Sequence, residues 1–97
     1  MTLMGLFFEW DQKKSRRNLT THGISFDEAS TAFRDPLSKT ISDPLHSVGE
    51  ERFVLIGQSL KGRLLVVVHT ERGDRIRIIS ARLATIKEKI TYEENEE

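Results

Sequence analysis

The sequence predicts an α+β fold: a small antiparallel sheet with helices packed on it, in the order strand, two helices, four strands, helix. Three observations lead there. Residues 63–82 form two β-rich runs around Gly73-Asp74, a two-residue loop in which Gly supplies the positive φ of a hairpin turn. Helix-start signals at Asp11, Ser25-x-x-Glu28 and Thr85-x-x-Glu88 lie outside that β-rich half. The strands after Asp35 are joined by short loops, which makes sequential strands antiparallel neighbours. Ninety-seven residues suffice for one core, without internal repeat or linker, so a single domain spanning 1–97 is expected.

Taken in order, Leu6 to Trp10 reads as a short aromatic strand. Asp11 caps a helix through about His22, closed by Gly23, with Leu19 its clearest apolar anchor. Ser25-x-x-Glu28 opens a second helix from Phe26 to about Arg34, with Ile24 stapled onto Ala29 and Asp35-Pro36 as its stop. Leu37 to Ser42 alternates as a half-exposed strand, and the loop 43–49 carries His46. Arg52 to Gln58 is a strand joined to the hairpin by the loop 59–62, which sets Val54 against Val67 and Arg52 against His69. In the hairpin, Arg72 faces Arg75, Thr70 faces Arg77, Val68 faces Ile79, and Leu65 faces Arg82. Period-two alternation then puts Arg77 with Val68 and Thr70 on one face, and Ser80 and Arg82 with His69 on the other. Thr85-x-x-Glu88 opens a last helix with a stripe of Ile86, Ile90 and Tyr92, followed by a charged tail (93–97) expected to fray.

Fifteen basic residues balance fifteen acidic ones, so no overall field draws the chain to nucleic acid. Locally the charges separate: Lys13, Lys14, Arg16 and Arg17 fall together, and acidic residues crowd the C-terminus. The absence of cysteine excludes disulfides and thiolate metal sites and fits a reducing cytoplasm. The apolar run from Leu3 to Phe8 is too short to span a membrane and lacks the basic leader and cleavage site of a signal peptide, so a cytoplasmic protein is expected.

No phosphate loop, His-x-x-x-His pair or Gly-x-Ser-x-Gly elbow is present. The chemistry-bearing feature is the hairpin, with Arg63, Arg72, Arg75, Arg77 and Arg82 in or beside it. Guanidinium groups held on strands bind phosphate oxygens bidentately. The plainer reading pairs Arg72, Arg75 and Arg77 with Glu71, Asp74 and Glu51, and it is preferred for Arg72 and Arg75 at the turn. Arg77 and Arg82 lie deeper in a strand, where an unpaired charge is costly, and both readings stay open. His46 is either a general acid or base on its loop or an exposed loop residue. For His69 packing is the safer reading, and for His22 a helix-dipole role. Glu50 and Glu51 read as bases or, more simply, as arginine partners.

Beside this reading stands a resemblance. Phe8-Glu9-Trp10-Asp11, Asn18, His22-Gly23-Ile24-Ser25-Phe26, Ala29 and Asp35-Pro36 resemble the first half of BrnT-type toxins of BrnT/BrnA toxin–antitoxin pairs. Asp43, His46-Ser47, Glu51-Arg52, Gly57, Gly62-Arg63, Thr70 to Gly73, Arg77 to Arg82 and Tyr92-Glu93 resemble the second half, in the same order. The resemblance implies a RelE-like ribonuclease fold and a metal-independent endoribonuclease that needs no cofactor and stops translation. It implies neutralisation by a BrnA-like antitoxin, whose complex represses its operon through DNA contacts made by the antitoxin. A dimer of toxin–antitoxin heterodimers is compatible with it. Carried over by position, His46, Glu51, Arg52, Arg77 and Arg82 are the catalytic candidates. Arg63 and Ser80 from the resemblance, with Lys13 and Lys14 from the basic cluster, are candidates for RNA-phosphate contacts. Thr21 and His69 depart from the family's usual Lys and aromatic residue. The alternative is a catalytically weak module whose main task is to hold the antitoxin in a repressor.

Overall fold

In a computed structural model, the backbone is described for residues 2–3 and 6–94 and side chains for 6–94. The strands are β1 (Thr2–Leu3), β2 (Leu6–Glu9), β3 (Lys39–Ser42), β4 (Arg52–Gln58), β5 (Leu64–Arg72) and β6 (Arg75–Leu83). The helices are α1 (Gln12–His22), α2 (Phe26–Thr31), extended by a 3₁₀ turn at Ala32–Arg34, and α3 (Ile86–Glu93). One six-stranded sheet runs β1-β2-β6-β5-β4-β3. The α+β architecture is the expected one. The sheet, however, is mixed, because β2 lies parallel to β6 through Phe7↔Arg75, Phe8↔Ile76 and Glu9↔Arg77. A tight hairpin forces antiparallel pairing, whereas the long path from β2 to β6 leaves the direction to packing. The two-residue β1 was not anticipated, and the tail residues 95–97 lie outside the described part. No described helix is long and apolar enough to cross a membrane.

The local signals form largely as the sequence predicts. Asp11 Oδ1 accepts from Lys13 N and Lys14 N at 2.8 and 3.1 Å, and Gly23, at φ 73°, closes α1. Ser25 Oγ accepts from Glu28 N, while the Glu28 carboxylate is engaged by Arg63 and Ser59. Thr85 and Glu88 complete a capping box at α3. Leu19 does not anchor α1, being 52% exposed. The anchor is Asn18. Its Nδ2 donates to Ala81 O (2.8 Å) and Ile24 O (2.9 Å), and its Oδ1 accepts from Ala81 N (3.1 Å). The buried amide thus stands in for a neighbouring strand along β6.

Helices α1 and α2 cover one face of the sheet. Beneath them Leu65, Val67, Ile76, Ile78 and Ala81 pack with Phe8, Ile24, Phe26, Ala29 and Ala32. His69 is fully buried here between Phe33 (ring centroids 4.8 Å) and Phe53 (5.8 Å), with Nε2 3.1 Å from Glu71 Oε2. Burial holds its pKa below the usual value, so the ring is neutral at pH 7. Gly57 is required by packing: a Cβ there would stand 2.8 Å from Ala32 O.

Two registers differ from expectation. The β4–β5 loop runs through Arg63, so Arg52 faces Thr70 and Val54 faces Val68, one residue from the predicted pairing. In the hairpin, Arg72↔Arg75 and Thr70↔Arg77 hold, but a bulge shifts the ladder so that Val68 faces Ser80 and Leu65 faces Leu83. The extra residue, Ile79, restores Ser80 and Arg82 to the face of Arg77.

Replacing Asn18 with Leu orphans the Ala81 and Ile24 backbone groups. It should destabilise the protein by about 3 kcal/mol in urea unfolding; a loss below about 1 kcal/mol would mean that the edge of β6 is held by other contacts.

Candidate phosphate-binding face

The face opposite α1 and α2 can be followed row by row. One row is Arg52 on β4, Thr70 on β5, Arg77 on β6 and Glu9 on β2. The next is Val54, Val68 and Ser80. A third is Lys39, Ile56, Val66 and Arg82. Arg72 and Arg75 end the face at the Gly73-Asp74 turn. Four arginines of the hairpin and Arg52 from β4 are thereby gathered on one surface.

Helix α3 lies across the third row. Arg82 grips its first turn, with Nη1 and Nη2 donating to Glu88 Oε1 and Oε2, each at 2.8 Å. Lys39 Nζ holds the other end, donating to Thr91 O and Glu94 O at 2.7 and 2.6 Å. Tyr92 OH donates to Asp35 Oδ2 at 2.5 Å. Burial and this acceptor push the Tyr92 pKa up to about 12. For Asp35, burial acts upward, but donors from Tyr92, Gln58 and Leu37 outweigh it and hold the carboxyl below its ordinary value. The row with Arg52, Thr70 and Arg77 stays outside this cover.

Carboxylates balance these cations. Glu9 sits 3.3 Å from Arg75 Nη1 and 3.8 Å from Arg77 Nη1. Glu50 binds Arg72 through two hydrogen bonds, which, with the fields of Arg72, Arg77 and Arg52, lower its pKa. These pairs replace the expected partners Glu71, Asp74 and Glu51. Arg77, at 3.8 Å, has the loosest ion pair on the face. Among the described residues, the buried Thr70 Oγ1 has no hydrogen-bond partner. Buried hydroxyls are nearly always satisfied, and this one lies unsatisfied between two guanidinium-bearing positions while closed to solvent.

The remaining candidates are distributed as follows. His46 lies on the 3₁₀ turn Pro44–His46, exposed, with Nδ1 2.9 Å from Asp43 Oδ2. Its loop is stitched to Arg52: Asp43 N donates to Arg52 O, and Arg52 N donates to Ser47 Oγ. Glu51 accepts from Ser42 Oγ at 2.9 Å. Arg63 stands apart, its Nε donating to Glu28 Oε2 at 2.9 Å, with Nη2 bound to Glu28 Oε1 and to Gly23 O. Ser59 Oγ donates to the same carboxylate at 2.7 Å. Arg63 therefore joins the β4–β5 loop to α2. Lys14 and Ser80 line a common cavity beside β6, whereas the Lys13 side chain is exposed on α1. Sequence reasoning missed Thr70, Glu9 and the Asp43–His46 pair as parts of this surroundings; only the register exposes the first two. No group of three or more described His, Asp or Glu side chains is arranged to hold a metal ion.

Comparison with known proteins adds two findings. The family described as "Ribonuclease toxin, BrnT, of type II toxin-antitoxin system" matches residues 10–88. The 1.1 Å crystal structure of the Brucella abortus ribonuclease toxin BrnT superposes with a TM-score of 0.64 at 20% sequence identity, covering 82% of this chain and 97% of that one. No curated protein matches the chain.

The Arg82–Glu88 pair has a pH signature. Hydrogen bonds from Arg82 hold the Glu88 pKa at about 2, below an ordinary 4.5. Its contribution is complete above pH 4.5 and is lost as pH falls from there through about 2. After allowance for solvent screening, Glu88→Gln should cost about 1–2 kcal/mol at pH 7 and progressively less toward pH 2.5. A difference between variant and wild type that stays constant across that range in urea titrations would rule out the linkage.

Proposed function

Given that the chain belongs to the BrnT family of ribonuclease toxins of type II toxin–antitoxin systems, we propose that the arginine face is its RNA-cleaving site. The observation carrying this reading is the row Arg52, Thr70 and Arg77, in which a buried hydroxyl without a partner lies between two cationic positions. Arg77 grips the scissile phosphate, Arg52 assists from β4, and Arg82 lies two rows further along β6. When those guanidinium groups swing onto the phosphate they uncover Thr70 Oγ1, which is closed to solvent in the free protein and then donates to a phosphate oxygen. Glu9 and Glu88 hold the guanidinium groups in place until the phosphate competes for them.

The reaction is metal-independent endonucleolytic transfer. A base removes the 2′-hydroxyl proton, the freed oxygen attacks the adjacent phosphorus, and the 5′-oxygen departs with a proton from an acid. The products are a 2′,3′-cyclic phosphate and a 5′-hydroxyl end. Arginines stabilise the extra negative charge of the crowded phosphorane more than that of the ground-state diester, which is what accelerates the step. His46 is the acid or base: Asp43 holds Nδ1 and orients the ring, leaving Nε2 for proton exchange. Glu51 is the second proton carrier. Cleavage of cellular RNA would stop translation in the cytoplasm, and a BrnA-like antitoxin would neutralise the toxin.

The second reading, a weak enzyme that mainly holds its antitoxin, is favoured by the exposed Leu83, Ile86 and Ile90 around α3. Purified protein and RNA separate the two: cleavage that persists in chelator supports the enzyme, whereas intact RNA at high protein concentration supports the module. Arg77→Ala should lower kcat at least a hundredfold while leaving the unfolding midpoint within about 1 kcal/mol of wild type; wild-type cleavage would remove Arg77 from the site. Thr70→Val should reduce cleavage while leaving stability unchanged or raised by up to about 1 kcal/mol, because an unsatisfied hydroxyl is deleted. Full activity in that variant would reduce Thr70 to a packing residue.

A further inference from the structure

Beyond the last β2 pairing at Arg77, no strand among the described residues continues alongside that edge of β6, and α1 takes its place. Helix and strand leave an open cavity of about 290 Å³ between them, with Lys14, Arg17, Thr21, His22 and Ser80 in its wall. The helical positions follow from Asn18. Its hydrogen bonds to Ala81 turn that side of α1 toward β6, and residues three or four away along a helix share its face. Lys14, Thr21 and His22 therefore share the face of Asn18, and Arg17, three residues after Lys14 and four before Thr21, lines the groove beside them.

Their lack of an ion pair sets them apart from the arginines of β5 and β6. Arg72, Arg75, Arg77 and Arg82 each have a carboxylate partner, whereas Lys14, Arg17 and His22 are in no ion pair among the described residues. Ser80 belongs to both places: it shares the sheet face with Arg77 and Arg82 and also lines the groove, and its hydroxyl is unbonded among the described residues. The step from Arg82 to Ser80 is two strand residues, roughly 7 Å, within the reach of one nucleotide. A polyanion leaving the arginine face over Ser80 thus meets cations that no close ion pair holds, beside a cavity with room for an anionic group.

We infer that the α1–β6 groove is a second phosphate subsite, which binds the single-stranded RNA next to the nucleotide being cleaved. The inference rests on the function proposed above and extends it from a point of chemistry to a track across β6. Because the contact is the same in ground state and transition state, it lowers KM and leaves kcat alone.

The test measures binding and cleavage separately. A fluorescent 2′-O-methyl decaribonucleotide has no attacking hydroxyl, so its anisotropy titration reports affinity only. In K14A/R17A, affinity should fall about tenfold, and the slope of log K against log salt should shrink by about 1.4, the value for two lost contacts to a single strand. K14R/R17K, with its charges retained, should restore both. With cleavable RNA the loss in K14A/R17A should appear in KM. An unchanged affinity and salt slope would overturn the subsite, as would equal losses in the charge-retaining variant. Weakened capture of the antitoxin with RNA affinity intact would likewise overturn it and assign the groove to the protein partner. Failure of the catalytic proposal looks different: wild-type protein would leave cleavable RNA intact whatever the groove variants do.

Discussion

A single inserted residue in β6 decides which face of the sheet carries Ser80 and Arg82. Side chains on a strand alternate, so Arg77 and Arg82, five positions apart, belong to opposite faces of a regular ladder. The bulge at Ile79 changes that parity. It leaves Arg77 with Thr70, brings Ser80 opposite Val68 and Arg82 opposite Val66, and keeps Ile78 and Ala81 beneath the helices. Without it, either a guanidinium would enter the apolar core or the core residues would turn to solvent. The apolar side of β6 thus fixes where the bulge must fall, and the polar side inherits the arrangement of its cations.

How far this could be read from the sequence depended on the range of the determining interaction. The Gly73-Asp74 turn and the caps at Asp11, Ser25 and Thr85 are settled within a few residues and were legible. The parallel pairing of β2 was not, because a strand reaching its partner across most of the chain carries no local mark of direction. The β4–β5 register slipped by one because Arg63 belongs to the loop, tied to Glu28 of α2. A bulged isoleucine in a β-rich run looks like any other. Apolarity alone points to Leu19 as the anchor of α1, whereas the helix is fixed by the amide of Asn18. The arginines themselves were legible as candidates; their common face was not, and the Thr70 hydroxyl between them emerged only with the register.

The charge arrangement reconciles a net charge of zero with the anion-binding surface proposed above. Glu9 comes from β2, Glu50 from the loop before β4, and Glu88 from α3, so each carboxylate reaches the face from a different element. Guanidinium groups kept in ion pairs are oriented in advance and cost less entropy to immobilise around a phosphate. The same pairs weaken attraction to nucleic acid at a distance, which favours a ligand that can match several of them together. Arg82 also clamps α3 against the sheet with Lys39, so the outer helix and the cationic surface depend on one side chain.

The border of β6 carries a last consequence. Had a full strand continued beside it, main chain would occupy that margin and leave no hollow. A single amide instead satisfies Ala81 with a handful of atoms, and the helix that carries it stands back from the sheet. The economy of that seal is what opens a recess at the rim, where the basic side chains assigned above to a second phosphate stand clear of the hydrogen bonds beneath.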